Sequence, residues 1–182
     1  MKFSTIKQSL GAVFTAGLLA LSAPQSGLAD ELSVDYLQGE GDVQGVKLAY
    51  RRDSDYLHAY FPQLDLSFEA SINVWEYGNP SRYDSNFVLA FSPVFRHTFH
   101  ENQHGEVYGE FGIGVSLLDD TRFAGKDIST HFQFEDRLGL GYRFGQSRQY
   151  AVTLRYFHYS NGGLKSPNPG YDYISLSFSK RL

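Results

Sequence analysis

The chain contains no cysteine in its 182 residues. That excludes a thiol nucleophile, an iron–sulfur cluster and any disulfide, so an exported protein of this composition has to be held by its own backbone pairing. Beyond residue 29 it also lacks any apolar run long enough to cross a membrane as a helix. An excess of positive charge is missing too. The formal charge is −4, and removing Lys2 and Lys7 with the first 29 residues takes it to −6, which gives no electrostatic case for nucleic acid as a partner.

Acidic residues are themselves absent before Asp30. The opening segment has basic Lys2 and Lys7, an apolar core from Leu10 to Leu21, and small residues around Gly27-Leu28-Ala29. This is the pattern of a secretory signal peptide, so residues 1–29 are set apart from the fold. A retained membrane helix fits less well, because Gly11, Thr15, Gly17 and Ser22 interrupt a short apolar run.

What the remaining chain does have is aromatic residues, 13 Tyr and 15 Phe, and a two-residue rhythm. Leu64, Leu66, Phe68, Ala70, Ile72 and Val74 alternate with Asp65, Ser67, Glu69, Ser71 and Asn73. Later, Phe132, Phe134, Leu138, Leu140, Tyr142 and Phe144 alternate with polar residues and glycine, and Asp136 interrupts the apolar row. Strands with one oily and one wet face, each long enough to cross a tilted bilayer, are the signature of an outer-membrane barrel. Eight are expected, near 33–37, 43–52, 63–76, 86–99, 106–116, 130–144, 149–159 and 171–182. Turn-rich connectors such as Gly78-Asn79-Pro80-Ser81 and Gly145-Gln146-Ser147-Arg148 separate them.

The fold class expected is therefore all-β, an eight-stranded antiparallel transmembrane barrel over residues 30–182. Lys47, Asp65, Glu69, Arg96, Glu110, Glu135, Arg137, Arg143 and Arg155 fall on the polar faces. In so small a barrel they are expected to pair and plug the lumen rather than line a pore. A soluble lipocalin-like barrel would reverse the two faces, and alternation cannot say which face is inside. The terminal strand with its apolar row Ile174, Leu176, Phe178, Leu182 and the absence of disulfides favour the membrane arrangement. Trp75 and Tyr77, near a strand end, are expected in the interfacial aromatic girdle.

With an even strand number both ends of the barrel chain lie in the periplasm, and the connections 117–129 and 161–170 are external. The chemistry sits beside the second of these. His158 and Ser160 are two apart and so share a face with Tyr156, Leu154 and Val152, the oily one. Asp172 shares the oily face of the last strand. Directly opposed residues of a hairpin lie close, so His158 and Asp172 are candidate cross-strand neighbours. A carboxylate on one imidazole nitrogen and a serine hydroxyl on the other is the arrangement that activates serine, and three such residues facing hydrocarbon for packing alone would be costly. The competing reading is a strand end that is polar because lipid has given way to water.

The run His158-Tyr159-Ser160-Asn161-Gly162-Gly163-Leu164-Lys165, followed by Pro167-Asn168 and by Gly170 shortly before an acid, resembles the lipid A 3-O-deacylase family known as PagL. The resemblance implies an outer-membrane esterase releasing the acyl chain at the 3-position of lipid A, acting at the outer-leaflet side without metal or cofactor. It implies Ser160 as nucleophile, His158 as general base and Asp172 as the orienting acid, with Asn161, Gly162, Gly163 and Asn168 supporting the oxyanion. The family's acid is typically Glu, and this chain carries Asp. Lipopolysaccharide would be the substrate and membrane lipid the surroundings, and a homodimer stays open. Arg82, Arg122, Lys126 and Lys165 are candidate phosphate contacts or solvated loop charges. His97, His100 and His104 are close in sequence but read poorly as a metal site. Two rival functions remain: a non-catalytic barrel for adhesion or membrane integrity, and a phospholipase or lipid acyltransferase.

Overall fold

Alternation of apolar and polar residues produces a closed wall. The computed structural model describes residues 30–79 and 82–182. The expected signal peptide and the Pro80-Ser81 part of one expected turn lie outside the described residues. The barrel strands are β1 (Asp30–Gly39), β2 (Val43–Ser54), β3 (Asp65–Asn79), β4 (Arg82–Asn102), β5 (Gly105–Leu118), β8 (Phe132–Phe144), β9 (Tyr150–Ser160) and β10 (Tyr171–Arg181). Between β5 and β8 a small hairpin, β6 (Arg122–Phe123) and β7 (Lys126–Asp127), sits apart from the wall. Each barrel strand pairs antiparallel with its neighbours, and β1 closes on β10.

The expected strands were each found, with ends displaced. β4 runs 21 residues, well beyond 86–99, because backbone pairing continues past the oily band. A register shift between Thr98 and His100 marks a bulge at its far end.

The direction of the two faces is decided by burial. Val34, Leu48, Phe91, Ile113, Leu154 and Leu176 project outward and are exposed, Leu138 to 66%. Lys47, Arg51, Glu69, Arg96, Glu110, Glu135, Arg137 and Arg155 point inward and are buried. An apolar exterior around a charged interior excludes the soluble alternative and fits hydrocarbon as the outer solvent. Arg155 bridges Asp35 at 2.8 Å and Glu110 at 2.5 Å; Arg51 bridges Glu69 at 2.7 Å and Glu110 at 3.2 Å; Lys47 bridges Glu69 at 3.1 Å and Glu135 at 3.2 Å. Asp65 departs from the expected set: it is exposed, at the turn end of the barrel.

Trp75 overturns an expectation. It is fully buried inside the lumen, not at a girdle. It keeps the parity of Glu69, Ser71 and Asn73, so it had to face inward. Its ring packs against Tyr173 at 4.6 Å and Tyr159 at 4.9 Å. Leu37, Val43, Val88, Leu118, Phe123, Ile128, Phe157 and Tyr171 complete this cluster, with Tyr77 partly buried against it. The lumen thus has an aromatic plug toward the loop end and an ionic network below. Phe123 and Ile128 belong to the 119–131 loop, so the plug also draws the β6–β7 hairpin down over the mouth.

Candidate active site

On β9 the side chains of Phe157 and Tyr159 are wholly buried in the plug. That fixes parity, and His158 and Ser160 must project outward. On β10, buried Tyr171 and Tyr173 do the same for Asp172. The register pairs Asp172 directly with His158, and His158 Nδ1 lies 2.7 Å from Asp172 Oδ1, with both side chains about one-third exposed. A carboxylate can only accept, so Nδ1 carries the proton, and in the neutral ring this tautomer leaves the lone pair on Nε2. Tyr156, two residues back on the same face, donates its hydroxyl to that same Oδ1 at 2.5 Å. The acid is therefore held from two sides.

Ser160 sits on the face of His158, one strand position beyond the β9–β10 ladder, with Phe134 of β8 as its partner. Its hydroxyl makes no hydrogen bond among the described residues. The candidate base and acid are brought together, and the candidate nucleophile shares their outward face with no hydrogen bond to either.

The loop after Ser160 is organised by Asn161, which is fully buried. Its amide donates to Ile128 O at 3.1 Å and Lys165 O at 2.8 Å, and its Oδ1 accepts from Gly163 N–H at 2.9 Å. Its own backbone N–H donates to Asn168 Oδ1 at 3.0 Å. Of the four residues expected to hold or support the oxyanion, Asn161 and Gly163 fall on the supporting side. Both amide ends of Asn161 and the N–H of Gly163 are engaged within the loop, so neither residue has a donor to offer. The Gly162 N–H and the Asn168 side-chain amide carry no intramolecular partner among the described residues. Gly162 and Gly163 both take positive φ, 63° and 80°, which makes this turn difficult for other residues.

Gly170 closes the loop against the His158 ring. Its φ is +70°, and a Cβ placed there would lie 2.8 Å from His158 Cε1 and 3.1 Å from Tyr159 O. Gly170→Ala is expected to push the imidazole off Asp172 and cut turnover about tenfold to a hundredfold. The barrel, paired all round, should keep its heat-modifiable gel mobility. Wild-type turnover in the variant would show that the ring position is not set by this contact.

The site can be compared with known proteins at this point. The sequence model of the lipid A 3-O-deacylase (PagL) family matches residues 44–181. The lipid A deacylase PagL of Bordetella bronchiseptica is 33% identical over 98% of both chains. That of Pseudomonas aeruginosa is 30% identical over 90% of this chain and 94% of its own. The chain belongs to the PagL family. A crystal structure of the outer membrane enzyme PagL superposes with a TM-score of 0.68 at 26% identity, covering 84% of this chain and 99% of that one. Neisserial surface protein A, at 10% identity and a TM-score of 0.54, shares the fold alone. Closed barrel, oily exterior and PagL membership together make this an outer-membrane protein.

Within this PagL-family barrel the shorter acid is no obstacle, since Asp172 reaches the ring at 2.7 Å. Tyr156 was not singled out by sequence reasoning; its phenol looked like one more apolar-face aromatic, and only the register reveals its bond to Asp172. Asp136, the acid that interrupted the apolar row, is the β8 partner of His158, so it stands at this same patch on the opposite side of the imidazole from Asp172. Of the four external cations, Arg122 pairs with Asp127 at 2.9 Å and Lys165 donates to Ser129 O at 3.3 Å. The Arg82 side chain lies outside the described residues. Of the three described, Lys126 alone lines a cleft beside Asp172. The three histidines of β4 and its turn are separately engaged, His97 with Gln63 O at 2.9 Å, His100 with Asn102 and His104 with Gln103.

Proposed function

We propose that this protein hydrolyses the acyl chain ester-linked at the 3-position of lipid A, with Ser160 as nucleophile, His158 as general base and Asp172 as the acid that orients it. The observation that carries the reading is the His158–Asp172 pair on the lipid-facing wall at the loop end, in a chain related to lipid A deacylases. A substrate that never leaves the bilayer can reach such a site by lateral diffusion.

The chemistry follows from the proton positions. Nε2 of His158 takes the Ser160 proton as Oγ attacks the ester carbonyl, and the imidazolium is stabilised by Asp172 through Nδ1–H. The Gly162 N–H and the Asn168 amide are the available donors for the tetrahedral oxyanion, each worth about 3–4 kcal/mol when well aimed. The imidazolium then protonates the sugar oxygen as the acyl bond breaks. Water, deprotonated by the same nitrogen, releases the fatty acid from the acyl-enzyme.

The test is mass spectrometry of lipid A from cells expressing the chain. The expected spectrum has lost one 3-O-linked acyl chain, with the free fatty acid recovered. Lysophospholipid in its place would favour a phospholipase. An unchanged acyl pattern with the barrel correctly inserted would overturn the proposal.

A further inference from the structure

Beside Asp172 a cleft of about 250 Å³ opens between the β1–β2 turn and the β6–β7 hairpin, lined by Glu40, Val43, Tyr77, Lys126, Tyr171 and Asp172 among others. Lys126 is held there from several directions. Its Nζ donates to Gly170 O at 3.1 Å and meets Glu40 Oε2 at 2.7 Å, and it lies 5.5 Å from the centre of the Tyr171 ring. The hairpin that carries it is tied to the wall, because the buried Tyr171 hydroxyl donates to Phe123 O at 2.8 Å. The cation is thus fixed one residue from the site: the carbonyl it binds belongs to Gly170, whose Cα faces the His158 ring. Glu40 is not fixed in this way. Its side chain is 61% exposed and belongs to a three-residue turn.

Resting on the deacylase reading above, we propose that Lys126 binds the glycosidic phosphate of the lipid A headgroup, and that Glu40 is a tethered carboxylate occupying that phosphate's place until substrate arrives. The scissile ester and the glycosidic phosphate are carried by the same glucosamine ring, so a cation adjoining the His158–Asp172 pair is where that phosphate falls when the ester meets Ser160. A Lys–Glu pair whose carboxylate is solvated is worth little, about 0–1 kcal/mol, so a phosphate bearing more charge and more acceptor oxygens displaces the exposed Glu40 readily. Glu40 therefore acts as an internal competitor and Lys126 as the residue that selects phosphorylated substrate.

Hydrolysis is to be measured with purified protein in mixed micelles, on lipid A carrying the glycosidic phosphate and on the same lipid A lacking it, and the selectivity read as the ratio of kcat/KM values. Lys126→Gln should lower that ratio about tenfold, the equivalent of one charge-assisted hydrogen bond, through KM rather than kcat, with Lys126→Arg restoring most of it. Glu40→Gln should raise the ratio severalfold. In the double variant the gain from Glu40→Gln should vanish, since nothing remains to be unmasked. A ratio that neither substitution moves, or a Glu40→Gln gain that persists without Lys126, would overturn the inference while leaving the deacylase reading intact. Failure of the wild type to hydrolyse either lipid would overturn both.

Discussion

Ser160→Ala is expected to lower acyl-chain release by about four to six orders of magnitude, and His158→Ala to do the same. The double variant should be no worse than either alone. Nucleophile and base act as one unit, and once one is gone the other has nothing to activate or be activated by. What survives is the donor set of the loop, Gly162 N–H and the Asn168 amide, with the binding surface around them. Asp172→Asn should cost less than either, because Gly170 still packs against the imidazole, although the amide can no longer fix the Nδ1–H tautomer as a carboxylate does. Initial rates of fatty-acid release by purified protein in micelles give these numbers, with unchanged heat-modifiable mobility as the control for folding. Retention of a tenth or more of wild-type turnover by Ser160→Ala would remove Ser160 from the mechanism and leave His158 and Asp172 as a polar strand end.

The outcome turns on two properties of a sheet, and they were unequally legible in the sequence. Parity is set by the two-residue period, so the outward placement of His158, Ser160 and Asp172 could be read from the oily row through Val152, Leu154 and Tyr156. Register is not set that way. An antiparallel pair can slide by two residues and keep every face the same, so the contact of Asp172 with His158 was a candidate and the bond from Tyr156 went unseen. Trp75 shows the opposite error. Its parity with Glu69 and Asn73 placed it inside, yet its size and position near a strand end suggested a membrane girdle. In a barrel this narrow the loop end of the lumen is filled by rings rather than by water, and the parity was the better guide.

The elements that sequence reasoning missed are those without a period. The β6–β7 hairpin contributes only two residues to each strand, and Ala124 takes φ of 52° at its tip, a conformation for which alanine gives no cue. The hairpin is held by contacts that exist only in three dimensions: Asp84 Oδ2 accepts from Ala124 N–H at 3.1 Å, and Tyr171 reaches Phe123 O. Asp127 steadies its far strand, its carboxyl kept below the usual range by the Ser129 N–H and by Arg122. Likewise Asn161, named for the oxyanion from the motif, spends both ends of its amide on loop closure. A motif records which residues are needed, and the hydrogen bonds decide which of them face the substrate.

The other large effect is expected far from the site. Among the described residues, six cations are buried in the lumen, Lys47, Arg51, Arg96, Arg137, Arg143 and Arg155, with five carboxylates, Glu31, Asp35, Glu69, Glu110 and Glu135. Glu106 at the rim, 3.1 Å from Arg143, supplies the sixth. Glu110 is shared by three of the cations: Arg155 at 2.5 Å, Arg51 at 3.2 Å and Arg96 at 3.6 Å. Glu110→Gln keeps the shape and removes the charge, leaving one guanidinium uncompensated in a lumen closed above by the Trp75 plug. Breaking a buried pair in this way costs about 3–5 kcal/mol, which urea titration of the folded barrel in detergent would record as a lower midpoint at unchanged slope. Adding Arg96→Met should recover part of the loss, since Arg96 is the most loosely paired of the three and its removal restores five charges against five, Glu106 included. If the double variant is less stable than Glu110→Gln alone, the network is held by the packing of the Arg96 guanidinium on Tyr108, 4.3 Å from the ring centre, rather than by charge balance. The distinction matters for the site, because Arg155 and His158 occupy one strand. The ionic lumen fixes β9 from within, and that fixed strand is what holds an imidazole and a hydroxyl in place on a wall facing lipid.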